Sequence, residues 1–162
     1  MDSPGLPIRF LWAMSGGGIL WVGEIWLILE LVSAKFDMAK TKFIRQYPMR
    51  STPVSILWTY LSTPEGLSEW FADDAQAVGN EFTFSWQGSQ MRARMLDDTD
   101  DAVRFRWEDS APDEYWELRP EIDELTDETI LTVTDFSDEA DVDDDVELWN
   151  TQIDALRRCL CC

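Results

Sequence analysis

The sequence predicts an α+β domain in which a curved antiparallel β-sheet wraps around a long C-terminal α-helix, with two short helices after the first strand. Apolar and polar residues alternate in short segments between residues 40 and 136, as in strands with one buried face. From residue 142 onward, apolar residues instead recur every three or four positions, as on one side of a helix. The apolar side of this helix and the apolar face of the sheet must cover one another.

The first strand is predicted at residues 40–50, where Phe43, Tyr47 and Met49 share one side. Residues 51–62 follow with a Ser-Thr-Pro helix entry and apolar side chains at helical spacing. This pattern predicts a short amphipathic helix whose apolar residues are Ile56, Leu57, Tyr60 and Leu61.

A second short helix is predicted in the stretch STPEGLSEWFADDA, residues 62–75. Thr63 can cap the helix, and Pro64 suits the first helical position because its missing N–H is not needed there. Trp70 and Phe71 end the helix with a large apolar surface. Such a surface either fills a core or lines a pocket, and the stretch itself leaves both open.

Period-two alternation predicts five further strands, at residues 82–86, 91–95, 103–107, 115–122 and 129–136. The first two form a hairpin with a turn at residues 88–89. Pro120 cannot donate a hydrogen bond to a neighbouring strand, which indicates an edge or bulge position.

The terminal helix is predicted from one apolar stripe, formed by Val142, Val146, Trp149, Ile153, Leu156 and Leu160. Packed on the concave face of the sheet, this helix completes a helix-grip arrangement. The order of elements therefore predicts one domain from residue 38 to residue 162.

An acidic segment precedes the terminal helix and suggests a calcium loop, since Asp141, Asp143 and Asp145 alternate. The loop fails at its sixth position, Val146 instead of Gly, and at its twelfth, Gln152 instead of Glu. Carboxylates that complement a helix N-terminus explain the segment better.

The formal charge is −19, and the chain contains no histidine. This charge repels a phosphate backbone, so nucleic-acid binding is not expected. Because the commonest general base and zinc ligand is missing, an enzyme would depend on carboxylates, Tyr or Cys. No metal and no cofactor are expected.

All three cysteines, Cys159, Cys161 and Cys162, lie in the last four residues and cannot link distant parts of the domain. We interpret them as incidental thiols at a frayed helix end in a reducing compartment, although a thiol metal tail is an alternative. Together with the acidic charge, they favour the cytoplasm.

Residues 10–32 form a nearly continuous apolar run that contains Glu24 and Glu30. A membrane anchor and an extra amphipathic helix are two interpretations, and carboxylates are expensive in a bilayer. A third is favoured: Met38 opens a segment typical of a protein start, so residues 1–37 are an extension from a wrongly chosen start codon. A membrane partner is expected only if the run is a genuine anchor.

Four arginines, Arg92, Arg94, Arg104 and Arg106, lie on the polar faces of two strands predicted to be neighbours. They form either an anion-binding patch or ordinary cross-strand ion pairs with Glu117 and Glu121. The ion pairs are the favoured interpretation.

Five segments carry a family resemblance: STPEGLSEWFADDA, FTFSW, VRFRWE, TVTDF and LWNTQIDAL. With them, residues 38–162 resemble a START-like domain of the SRPBCC (Bet v 1-like) superfamily, near the branch named after the activator of the Hsp90 ATPase. The resemblance implies a cavity between sheet and terminal helix. Its implied wall residues are Trp70, Phe71, Phe84, Trp86, Phe105, Trp107, Trp116, Phe136 and Trp149.

Three functions are compatible with this resemblance. The first is a non-catalytic module that binds a hydrophobic or aromatic small molecule, oriented by polar groups such as Tyr60, Ser85 or Arg106. The second is a protein-interaction domain that acts as an Hsp90 co-chaperone. The third, ranked lowest, is a cyclase-like enzyme whose base is Asp73, Asp74 or Asp135.

Overall fold

The structure is a computed structural model that describes residues 40–96 and 100–161. The interpretations placed on residues 1–37 lie outside this part of the chain. The described residues form seven strands, three α-helices and a short 3₁₀ turn, in the order β1 Thr41–Pro48, α1 Val54–Ser62, α2 Pro64–Trp70, β2 Asp74–Val78, β3 Glu81–Trp86, β4 Ser89–Leu96, β5 Val103–Trp107, β6 Trp116–Ile122, β7 Thr129–Ser137, the 3₁₀ turn Glu139–Asp141 and α3 Val142–Leu160.

The seven strands form one antiparallel sheet in the order β1-β7-β6-β5-β4-β3-β2. The two helices between β1 and β2 let the chain pass from one edge of the sheet to the other. From β2 to β7 each strand then pairs with the next one along the chain. The α+β fold and the helix-grip arrangement predicted from the sequence are confirmed.

One strand of the sheet was not predicted from the sequence. β2 has the sequence DAQAV, and its inward residue Ala75 is too small to produce a clear apolar alternation. Pairing with β3 nevertheless makes it the last strand of the sheet.

Pro120 does not lie on an edge strand, because β6 runs between β5 and β7. Its position is beyond the last pair between β6 and β5, Val103 with Leu118. The missing N–H is therefore tolerated within an interior strand, because Pro120 lies beyond the part of β6 that pairs with β5.

α1 and α2 pack closely where they cross. Thr63 caps α2, because its Oγ1 accepts a hydrogen bond from the Gly66 N–H at 3.0 Å, as the sequence predicts. A Cβ atom on Gly66 would lie against the Thr59 carbonyl oxygen and 2.6 Å from the Cα of Tyr60. Only glycine therefore permits this crossing.

α3 lies on the inner face of the sheet. Trp149, Ile153 and Leu156 are buried along its predicted stripe, while Val142, Val146 and Leu160 are partly buried. Among the described residues, no helix is both long and apolar enough to cross a membrane.

Candidate functional site

Aromatic side chains pack against one another between the inner face of the sheet and α3. Eight of the predicted wall residues are buried together: Trp70, Phe71, Phe84, Trp86, Phe105, Trp107, Trp116 and Trp149. We call these eight residues the aromatic cluster. Its members come from the end of α2, from strands β3, β5 and β6, and from α3.

Phe71 lies at the centre of the aromatic cluster. Its ring contacts the rings of every other member except Phe105. Phe71 is the residue that immediately follows α2, and its backbone N–H donates to the Leu67 carbonyl. The end of a short helix, not the sheet, thus supplies the central ring.

The Trp116 ring is stacked between two other rings. Phe105 lies against it with ring centroids 4.4 Å apart, and Phe71 with centroids 4.9 Å apart. The interplanar angles are 19° and 24°, so each of the two rings is nearly parallel to the ring of Trp116. Stacked contacts of this kind add to the stabilisation that burial alone provides.

The indole N–H groups of the aromatic cluster differ in their hydrogen bonds. Trp70 donates to the Tyr60 carbonyl at 2.9 Å, and Trp86 donates to the Phe71 carbonyl at 3.0 Å. Trp149 donates to a carboxylate on β7. The Trp116 Nε1 is buried and has no hydrogen-bond partner in the part of the chain that the structure describes.

The Phe71 carbonyl is also bound by α3. Gln152 Nε2 donates to it at 3.3 Å, beside the bond from Trp86. Gln152 was not predicted as a site residue. The sequence does contain an indication of its role, because Gln152 is a polar residue on the apolar stripe, three positions after Trp149.

Asp135 is the buried carboxylate that accepts the hydrogen bond from Trp149. The Trp149 Nε1 to Asp135 Oδ2 distance is 2.9 Å, and Asp135 Oδ1 accepts from the Phe136 N–H at 2.7 Å. Both oxygens thus have donors, and the side chain lies on the inner face of the sheet instead of in solvent.

Phe136 does not join the aromatic cluster, which corrects its predicted place in the cavity wall. Successive strand residues point to opposite faces, so Phe136 points away from α3 when Asp135 points toward it. Its ring is half-buried and packs edge-on against Tyr115, with centroids 5.2 Å apart.

Of the three polar groups expected to orient a ligand, only Tyr60 is packed against the core. Ser85 lies between buried Phe84 and Trp86, and Arg106 lies between buried Phe105 and Trp107. Alternation therefore places both on the outer face. Arg106 Nε donates there to the Glu114 carbonyl at 3.3 Å.

The two other candidate bases lie where α2 turns into the sheet. Asp73 and Asp74 are both exposed, and Asp73 Oδ2 accepts from the Gln87 N–H at 2.8 Å. They are therefore separated from the aromatic cluster.

The predicted arginine patch is divided among several partners. Arg104 pairs with buried Glu117 at 2.5 Å, as expected, and Arg94 pairs with Glu81 at 2.9 Å. Glu121 instead accepts a hydrogen bond from Thr132. The outer face of the sheet thus carries mixed charges.

Cys162 lies outside the described residues, and the other residues considered for metal binding lie at the two ends of α3. Asp143 and Asp145 lie in its first turn, directly after Asp141. Cys159 Sγ lies 3.3 Å from the Glu69 carbonyl, and burial raises the pKa of this thiol. No group of three metal-binding side chains occurs in residues 40–96 and 100–161.

Comparison with known proteins identifies the family. A model described as a START-like superfamily domain matches residues 38–162. A solved structure from Bacteroides fragilis is 36% identical, with 76% of this chain and 93% of that chain covered and a TM-score of 0.55. A search of curated proteins finds no significant match.

Two more distant structures share the fold. The Aha1 dimer from Colwellia psychrerythraea is 16% identical over 72% of this chain and 93% of that chain, with a TM-score of 0.58. DynU16, a protein in the dynemicin biosynthetic locus, is 20% identical over 74% of this chain and 46% of that chain, with a TM-score of 0.58. With the family model and the Bacteroides relative, these findings show that the chain belongs to the START-like superfamily.

Proposed function

We propose that this domain is a non-catalytic module that binds a hydrophobic or aromatic small molecule between the sheet and α3. The observation that carries the proposal is the Trp116 indole N–H, which has no acceptor among the described residues. Leaving a buried donor without an acceptor costs about 1–3 kcal/mol. A bound molecule with an acceptor atom would recover this free energy.

The surroundings of Trp116 suit such a ligand. Small-molecule sites are mostly apolar and contain a few polar groups that fix orientation. The aromatic cluster would supply the apolar walls, and the Trp116 N–H would supply the polar group. No catalytic role is proposed, because Asp73 and Asp74 are exposed and Asp135 is hydrogen-bonded through both oxygens.

Native mass spectrometry tests the proposal on the full chain, purified from a cell close to its own. We expect a stoichiometric small molecule on the wild-type protein and a lower occupancy in Trp116→Phe. Thr83→Ala, a change on the outer face of β3, serves as a control and should leave the occupancy unchanged. A folded wild-type protein without a bound molecule would contradict the proposal.

We propose as a second candidate function an interaction domain that stimulates the Hsp90 ATPase. The resemblance of residues 38–162 to the branch named after the activator of that ATPase supports it, and the Aha1 structure shares the fold. The strong negative charge would then direct the domain toward a basic surface of its partner. Titration of an Hsp90 with this domain tests the idea, and we expect the ATPase rate to rise. An unchanged rate at saturating domain would dismiss this function.

A further inference from the structure

We infer that the Phe71 ring occupies the place of the ligand's aryl ring, and that the ligand carries an acceptor oxygen on a flexible arm that reaches the Trp116 N–H. This inference rests on the proposed binding function and names the ligand class of the same site. It follows from the position of Phe71, from the attachment of its backbone and from the direction of the Trp116 N–H.

The position of Phe71 defines the space that a ligand would use. Its ring is surrounded by aromatic rings, and it covers one face of Trp116 while Phe105 covers the other. A flat ring of phenyl size can therefore replace it without loss of the stacked contact. A ligand that left Phe71 in place would have to enter a group of rings already in contact with one another.

The attachment of Phe71 allows such an exchange. Its carbonyl accepts hydrogen bonds from Trp86 and Gln152, which hold the backbone between the sheet and α3. Rotation about χ1 moves the ring while these backbone contacts remain. The side chain can thus leave the centre of the aromatic cluster without unfolding of α2 or the sheet.

The direction of the Trp116 N–H determines where the acceptor must lie. An indole N–H lies in the plane of its ring, whereas Phe71 lies over the face of that ring at an interplanar angle of 24°. A ligand ring in the same place must extend its acceptor past the edge of Trp116. An ether, alcohol or carbonyl oxygen on a short flexible arm can do this, and an oxygen fixed in the plane of the aryl ring cannot.

Two probes of the same shape test the inference on the full chain. Benzyl methyl ether carries an acceptor oxygen where propylbenzene has a methylene group. We expect Phe71→Ala to bind both probes at least about tenfold more tightly than the wild type. Truncation of a buried Phe leaves a cavity, so no ring must be displaced before the probe enters. The ether, unlike propylbenzene, should move the indole N–H resonance of Trp116 downfield.

The contribution of Trp116 is measured with a double variant. In Phe71→Ala/Trp116→Phe, the ratio of ether affinity to propylbenzene affinity should fall about fivefold, the effect of one lost hydrogen bond. Comparison of this ratio between Phe71→Ala and the double variant cancels the different solubilities of the probes. If Phe71→Ala does not fold, Phe71→Leu supplies the same ratio with a smaller opening.

Phe82→Ala is the matched control. Its ring packs against Phe84 and Phe105, and no ring contact joins it to Phe71 or Trp116 in the described part of the chain. The variant therefore opens a similar space elsewhere in the core. We expect the ether to leave the Trp116 N–H resonance of this variant unchanged.

The outcomes separate this inference from the function on which it rests. An affinity ratio that does not respond to Trp116→Phe overturns the inference, and so does equal binding by wild type and Phe71→Ala. A natural ligand without an aryl ring and acceptor oxygen overturns the inference but leaves the binding function standing. A wild-type protein without ligand, together with a Phe71→Ala variant that binds neither probe, overturns both.

Discussion

The indole of Trp149 on α3 donates a hydrogen bond to Asp135 Oδ2 on β7 at 2.9 Å, inside the domain. Both side chains are buried, at 5% and 4% exposure, so water does not compete for this bond. A typical hydrogen bond contributes about 0.5–1.5 kcal/mol, and a buried donor or acceptor left without a partner costs about 1–3 kcal/mol. The pair therefore fixes how α3 is rotated over the sheet.

The first prediction concerns this pair. We expect Asp135→Ala and Trp149→Phe each to lower the free energy of unfolding by about 2–4 kcal/mol, because each opens space and removes the bond. In a double-mutant cycle measured by urea unfolding, the pair should show a coupling of about 1–2 kcal/mol. Asp154→Ala, at an exposed carboxylate of α3, is the control and should cost less than about 0.5 kcal/mol. Additive effects would show that the bond does not contribute.

The second prediction compares two indoles on the inner face of the sheet. The Trp86 N–H has an acceptor, and the Trp116 N–H has none among the described residues. Replacement of either by Phe opens a similar space, but only Trp86→Phe removes a hydrogen bond. We expect Trp116→Phe to cost about 1 kcal/mol less than Trp86→Phe in urea unfolding, although Trp116 is the more deeply buried. The reverse order would show that Trp116 has an acceptor in the ligand-free protein.

Most of the inner face could be predicted from local patterns. In FTFSW and VRFRW the aromatic residues occupy every second position and the polar residues lie between them. Only one of the two possible orientations buries the rings, so the face of each strand is determined without reference to its neighbours. The same reasoning holds for the apolar stripe of α3.

The segment TVTDF shows where such reasoning ends. Either face of this strand could be the buried one, since Val133 shares its face with Asp135 and Thr134 shares its face with Phe136. The family resemblance implies that Phe136 points inward, into the cavity wall. The choice instead depends on Trp149, which supplies a donor for Asp135 from another element.

Tertiary packing also determines the centre of the site. The sequence indicates that Phe71 ends a helix, but not that this helix directs the ring into the middle of the aromatic cluster. That position depends on the crossing of α1 and α2 and on the bonds from Trp86 and Gln152 to the Phe71 carbonyl. The two hydrogen bonds join residues that lie 15 and 81 positions apart in the sequence, so no local pattern predicts them.

The third prediction concerns the crossing of α1 and α2. Gly66→Ala should destabilise the domain by about 1–3 kcal/mol, because the added Cβ meets backbone atoms of Thr59 and Tyr60 that cannot easily move. Helix propensity alone predicts the opposite, a gain of about 1 kcal/mol. Glu69→Ala, an exposed change in the same helix, controls for propensity. Thermal unfolding of the wild type, Gly66→Ala and Glu69→Ala would show whether the clash or the helix propensity dominates. A Gly66→Ala variant more stable than the wild type would show that the helices can separate at no cost.

The fourth prediction concerns Tyr47, a buried residue of β1. Its hydroxyl donates to Asn150 Oδ1 on α3 at 2.7 Å. Burial raises the pKa of this phenol above its usual value, because the neutral form is favoured away from water. Arg45 and Arg157 oppose the rise in pKa, and the carboxylates of Asp154 and Glu147 add to it.

A pKa that is higher in the folded protein than in the unfolded chain means that folding favours the protonated phenol. The resulting stabilisation is complete below the unfolded pKa of about 10 and is lost as the pH rises through the folded pKa. We therefore expect the free energy of unfolding of the wild type to fall more steeply above pH 10 than that of Tyr47→Phe. Urea unfolding of both proteins at several pH values measures this difference and cancels the titration of the lysines, which the two share. Parallel curves would contradict a pKa of Tyr47 that is higher in the folded protein than in the unfolded chain.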